Sequence, residues 1–190
     1  MRRRVGVLVA VAVLGAALAS AASAARGTRA VVDFTRAPLG PKSAFVGFRS
    51  HGLMLAARAR RVGVVHWKGS RALVVAPVKG GGFCKSLEGP YGGAQCYLRP
   101  PRLDPGYTGD GSGPVVLDGV FTDPRGVRLR VTYQDGARTD IPIMWVGAPI
   151  KAGLFVFPIP RPHRAVHHRP RTLTLYSAGG SRLVSRSLLP

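Results

Sequence analysis

Two groups of side chains in this 190-residue chain are of types that do chemistry. One is the pair of thiols at Cys84 and Cys96; the other is a basic run, "PIPRPHRAVHHRPRT", at residues 158–172. A thiol can attack a substrate, hold a metal or close a disulfide. Outside the cytoplasm, two cysteines and no more pair most simply with each other. The intervening "KSLEGPYGGAQ" carries Gly89-Pro90 and Gly92-Gly93, so the chain can reverse and bring the two opposite one another. Closing a loop of that size stabilises a fold by roughly 3 kcal/mol in the chain-entropy picture. The rival chemistries have less support. Structural zinc wants four ligands in pairs such as C-x₂-C, and a nucleophilic thiol wants a base beside it and a lowered pKa. Lys85 is a neighbour in sequence only. A Cys84–Cys96 disulfide is therefore the expectation.

The basic run holds Arg161, His163, Arg164, His167, His168, Arg169 and Arg171. His163 and His167 have the i, i+4 spacing that on a helix would offer both imidazoles to one metal. Pro158, Pro160, Pro162 and Pro170 bracket them, and prolines at that density favour an extended or turning chain. The run reads as a polyanion contact, toward an anionic cell-envelope polymer or lipid headgroups, or as a solvated basic loop. Imidazoles ordinarily titrate near pH 6.5, so mild acid should strengthen such binding. Few aromatics are interleaved with the basic residues to stack on bases, and nucleic acid is not an expected partner.

Other chemistry is hard to build from these residues. No G-x-S-x-G elbow, H-E-x-x-H pair or close carboxylate pair is present, so no catalytic residue, metal site or cofactor is expected. Gly80-Gly81-Gly82 lacks the spacing of a phosphate-binding loop and suits a bulge or a close backbone approach. Asp104, Asp110, Asp118 and Asp123 do not follow the calcium-loop ladder and read as turn formers. Trp67, Trp145, Phe155 and Phe157 sit in strand patterns and read as core.

The amino terminus sets the compartment. Arg2 to Arg4 precede an apolar stretch from Val5 to Ala19, and Ala22-Ser23-Ala24 ends it as a signal-peptidase site. Residues 1–24 read as a helical export signal, the alternative being a membrane anchor through residues 5–25. The stretch is short against the roughly 18 to 20 apolar residues that cross a bilayer. With 28 Lys and Arg against 8 Asp and Glu the formal net charge is +20, which attracts polyanions at low salt.

The elements that must position these groups read as strands. "SAFVGF" (43–48), "RRVGVVHW" (60–67) and "RALVVAPV" (71–78) are rich in β-branched and aromatic residues, with Lys68-Gly69-Ser70 as a turn. "GLMLAARARR" (52–61) fits a helix or a strand. "RPPRLDPGYTGDGSGP" (99–114) has the composition of a loop. "PVVLDGVF" (114–121) and "GLFVFPIP" (153–160) are further strands. "GVRLRVTYQDGARTDIPIMWV" alternates Val127, Leu129, Val131 and Tyr133 against Arg128, Arg130, Thr132 and Gln134. Asp135-Gly136 suits a type I′ turn, and Pro142 puts the return strand at a sheet edge. "RTLTLYSAGGSRLVSRSL" (171–188) is a hairpin about Gly179-Gly180.

Together, "ALVVAPVKGGGFC…C", "GVFTDPRGVRLRVTYQDGARTDIPI" and the terminal strand–Gly-Gly–strand resemble a recurring pattern in uncharacterised secreted proteins of high-G+C bacteria. The last two are similar to compact immunoglobulin- or fibronectin-like sandwich modules. The resemblance implies a fold and brings no chemistry with it. The expected fold is all-β, an antiparallel sandwich in two small lobes: residues 30–100 with the disulfide, a Pro/Gly/Asp linker at 101–113, and an immunoglobulin-like lobe at 114–190. The expected function is non-enzymatic contact at the cell envelope, with a polyanion or a protein partner. The alternatives are a secreted hydrolase or metal-dependent enzyme with a loop-assembled site, and a membrane-tethered accessory protein.

Overall fold

The computed structural model describes residues 29–41, 45, 52–66, 69–88, 94–110 and 113–188. The export signal at 1–24, most of the strand expected at 43–48, Trp67-Lys68 and the Gly89–Gly93 reversal lie outside the described residues. Among those described, thirteen strands run in chain order. They are β1 (Ala30–Val32), β2 (Arg60–His66), β3 (Ser70–Pro77), β4 (Phe83–Leu87), β5 (Ala94–Tyr97), β6 (Leu103–Asp110) and β7 (Gly113–Phe121). The second half adds β8 (Gly126–Tyr133), β9 (Arg138–Ile141), β10 (Met144–Val146), β11 (Ala152–Pro158), β12 (Pro170–Ser177) and β13 (Arg182–Ser187). The only helical turns described are two short 3₁₀ turns, Arg161–His163 and Val166–His168.

The strands form three sheets, ordered β2-β3-β4-β5, β1-β10-β11-β7-β6 and β13-β12-β8-β9. All pairings are antiparallel except β1 with β10. The five-stranded sheet is the middle layer. Successive side chains on a strand point to opposite faces, and here both faces are covered. Leu154, Val120 and Val146 join Leu73, Val75 and Phe83 of the first sheet in one core. Leu117, Phe121 and Phe155 join Leu129, Val131, Leu173 and Leu175 of the last sheet in another. This explains why "VVLDGVF" and "GLFVFPI" show apolar runs where an outer strand such as β8 alternates.

The stretch at 101–113, expected as a loop between lobes, is instead largely β6, an edge strand hairpinned onto β7. An edge position tolerates Pro105, whose missing N–H would break a ladder elsewhere. β1, from the amino-terminal stretch, also lies in the middle sheet, against β10. The segment "GLMLAARARR" is neither helix nor continuous strand. Leu55 bridges Val78, and Leu53, Leu55 and Ala59 cover the outer face of the first sheet together with Phe45.

Local turns follow the sequence with one correction. The β8–β9 turn is not type I′: Gly136 has φ of 82°, but Asp135 is not among the positive-φ residues. Gly136 N–H bonds to Tyr133 O, and Tyr133 N–H bonds to Ala137 O, a type I turn followed by a left-handed glycine. Asp135 Oδ1 accepts from the Ala137 N–H at 2.9 Å and holds that form. β9 is a sheet edge, but Pro142 lies just beyond it: the return strand expected to run through Pro142 ends at Ile141. Beyond it the chain crosses to the middle sheet as β10.

Candidate functional site

The disulfide is present, joining Cys84 and Cys96. The two cysteines stand directly opposite on β4 and β5, and Lys85 stands opposite Gln95 beside them. A slip of one residue would turn every side chain to the other face. The covalent link therefore also fixes the register that puts Lys85 and Gln95 side by side. Gly82, at φ of 80°, lets β4 begin against the β5 backbone: a Cβ there would lie 2.0 Å from Tyr97 O. That is the close approach the glycine run suggests. Paired cysteines point to an oxidising environment. Among the described residues no helix is long and apolar enough to cross a membrane.

Cys84 faces the outer side of its sheet, whereas Phe83 and Lys85 face the middle layer. Lys85 is 3% exposed, and its ammonium pairs with the Asp118 carboxylate on β7. This pair is the feature that sequence reasoning misses, since Lys85 reads as a neighbour of a cysteine and Asp118 as a turn former. Asp118 lies in mid-strand. The readable signal was a charge at the inward position of an apolar strand: Lys85 between Phe83 and Leu87, Asp118 between Val116 and Val120.

Around the pair lies a cleft of about 160 Å³ between the edge strands β5 and β6. Lys85, Gln95, Thr108 and Asp118 are polar residues of its lining, with Ser86 and Tyr107 beside them, and Leu73, Leu87, Val116 and Val156 form its apolar wall. Gly106 stands opposite Asp118 in the β6–β7 ladder. A Cβ there would come within 3.3 Å of Asp118 Oδ1 and 3.7 Å of Gln95 Nε2, so the missing side chain leaves room where the two groups converge. The Tyr97 hydroxyl donates to Gln95 Oε1 at 2.9 Å, which leaves the Gln95 amide hydrogens free to donate. Burial, and then the charges of Asp104 and Asp118, push the Tyr97 phenol well above its ordinary range and keep it a neutral donor.

The basic run forms the β11–β12 connection. The prolines divide it into two single 3₁₀ turns, so His163 and His167 do not share a helical face. Asp135 gathers two of the three histidines: His168 Nδ1 is 3.0 Å and His163 Nδ1 is 3.6 Å from its Oδ2. His163 also stacks on Tyr133, ring centroids 3.7 Å apart. The Ala137 N–H first, and then His168, hold the Asp135 carboxyl below its usual range. Arg164 Nε donates to Ile159 O at 2.8 Å and Arg169 Nε to Arg164 O at 3.3 Å, so these two arginines brace the loop. Arg161, His167 and Arg171 are exposed.

Next to the loop lies the outer face of the last sheet. Arg128, Arg130 and Thr132 point away from the core on β8, and Arg138 and Asp140 lie opposite Thr132 and Arg130 on β9. Arg128 and Arg130 flank the Tyr176 ring at 4.7 and 5.9 Å. Asp140 takes a bidentate bond from Arg130, at 2.6 and 3.0 Å.

Comparison with protein-family models, with curated proteins and with solved structures finds no match to this chain.

Proposed function

We propose that the protein is an exported, non-enzymatic β-sandwich of the cell envelope, immunoglobulin-like in its last sheet, that binds polyanions through a basic face. The observation that carries this reading is the division of labour within the β11–β12 loop. Arg164 and Arg169 are spent on backbone carbonyls and hold the loop in shape, while Arg161 and Arg171 stay exposed. A braced loop presents charge without the entropy cost of ordering it on contact. Arg138 on the adjoining sheet edge extends the same surface, and the formal net charge of +20 draws anionic partners from a distance.

Retention on isolated envelopes and on immobilised polyphosphate across a salt series tests the proposal. The parent should elute at a markedly higher salt concentration than a variant with Arg161, Arg171 and Arg138 changed to Gln. Binding that ignores salt, or that the triple variant keeps in full, would refute it.

A further inference from the structure

We propose that the cleft between the first and middle sheets binds a neutral sugar ring by a pair of adjacent hydroxyls, with Lys85, Asp118 and Gln95 as the reading groups. This inference does not rest on the polyanion surface, since none of Arg138, Arg161 and Arg171 lines the cleft.

The argument begins with what the pair leaves open. Lys85 gives one of its three N–H donors to Asp118 Oδ2, and the rest of the ammonium has no other hydrogen-bond partner among the described residues. Asp118 Oδ1 faces the gap left by Gly106. Gln95 has its carbonyl taken by Tyr97 and its amide donors unspent. Donors and acceptors thus stand side by side around a net-neutral centre. A simple anion would use the donors and be repelled by Asp118, and a simple cation would meet the reverse. An amino-acid zwitterion would have to separate two groups already in direct contact. A hydroxyl donates and accepts at once, so two adjacent hydroxyls can bond to Lys85 and Asp118 together and leave the pair intact.

Size narrows the ligand further. Cofactors and drug-sized molecules occupy pockets of about 300 Å³ or more, and this cleft holds about 160 Å³. A single pyranose ring fills it, and its apolar C–H face suits the wall of Leu87, Val116 and Val156. The ring can be a free monosaccharide or the terminal unit of a glycan. Both present the same diol.

The test is a titration of the ¹⁵N-labelled, disulfide-intact protein with methyl pyranosides, followed by NMR. At least one pyranoside should shift the Gln95 side-chain amide and the backbone amides of Lys85, Thr108 and Asp118 saturably. Its dideoxy analogue, glycine and phosphate should not. Gln95→Leu should weaken binding by about tenfold. Gln95 is exposed at the cleft mouth, so this variant keeps its fold and the parent spectrum elsewhere. Thr108→Val should weaken it as well. A trisaccharide ending in the same ring separates the two sources: equal affinity means that the terminus alone is read, and higher affinity for the free ring means that chains are excluded. No saturable shift with any pyranoside, shifts unchanged in Gln95→Leu, or binding of glycine or phosphate at these residues would overturn the proposal. The Arg161/Arg171/Arg138 variant should bind sugar as the parent does, so failure of the surface reading and failure of this one are told apart.

Discussion

Lys85 and Asp118 lie 33 residues apart on different sheets, and each is anchored by the other. Removing one partner strands a charge in the interlayer space, a change that costs about 3–5 kcal/mol, whereas replacing both by apolar groups is near neutral. Lys85→Met should therefore lower unfolding stability by about 3 kcal/mol, toward the low end because solvent reaches part of Asp118. Lys85→Met with Asp118→Leu should recover most of it, as urea unfolding would report. A loss in the double variant as large as that in Lys85→Met would mean that the single variant's cost does not come from a stranded Asp118 charge. Asp123 makes a different prediction. Side-chain hydrogen bonds from Arg125, at 3.0 and 2.8 Å, hold its carboxyl at about 2 against an ordinary 3.8. A carboxyl depressed by folding stabilises the protein above 3.8, and that contribution is lost as pH falls toward 2. Asp123→Asn should be less stable than the parent near neutral pH and should lose less stability through that acid window. At this scale the sequence was half legible. Asp123 was readable as a turn former, and its N–H bond from Arg125 bears that out. Asp118 was not, because its meaning depends on a partner that only the stacking of two sheets supplies.

Strand by strand, legibility followed burial. β8, with one face in the core and one in water, alternates and is plain in the sequence. The middle strands β7 and β11 were recognisable as strands, but their lack of alternation carried a further message, burial on both faces, that marks a middle layer. β6 was hidden by Pro105, Gly106 and Gly109, residues that an edge strand accommodates and a turn also favours. The β4–β5 hairpin was found through its cysteines. Cys84→Ser with Cys96→Ser should cost about 3 kcal/mol for a separation of 12 residues, measured by urea unfolding of the two forms. The β11–β12 loop depends on Asp135 in the neighbouring turn. Asp135→Asn should speed hydrogen exchange and proteolysis across residues 161–169 and leave the strands unaffected. If exchange in the loop is unchanged, the histidine contacts do not hold it.

For the molecule as a whole, the middle sheet joins two cores that share no outer layer. Gly153 shows how tightly one of them is filled: a Cβ there would lie 1.9 Å from the Phe121 ring. Gly153→Ala should destabilise the entire fold, with the amides of all three sheets losing protection together in exchange measurements. Loss confined to the last sheet would mean that the two cores unfold separately. The sharing of strands among the three sheets was the least legible property of the chain. It is decided by strands such as β1 and β6, which are short or turn-like in composition and join the middle sheet through partners distant in sequence.

Three stacked layers also give the molecule a polarity. Arg128 and Arg130 lie on the outside of one end layer, and the 84–96 staple lies on the outside of the other. Sheets stack about 10 Å apart. A copy seated by that arginine face on a negatively charged wall would hold the Lys85 cleft open to the side, roughly 20 Å above that wall. The anchor would then serve as a spacer too, setting the height at which anything in the surrounding medium is met.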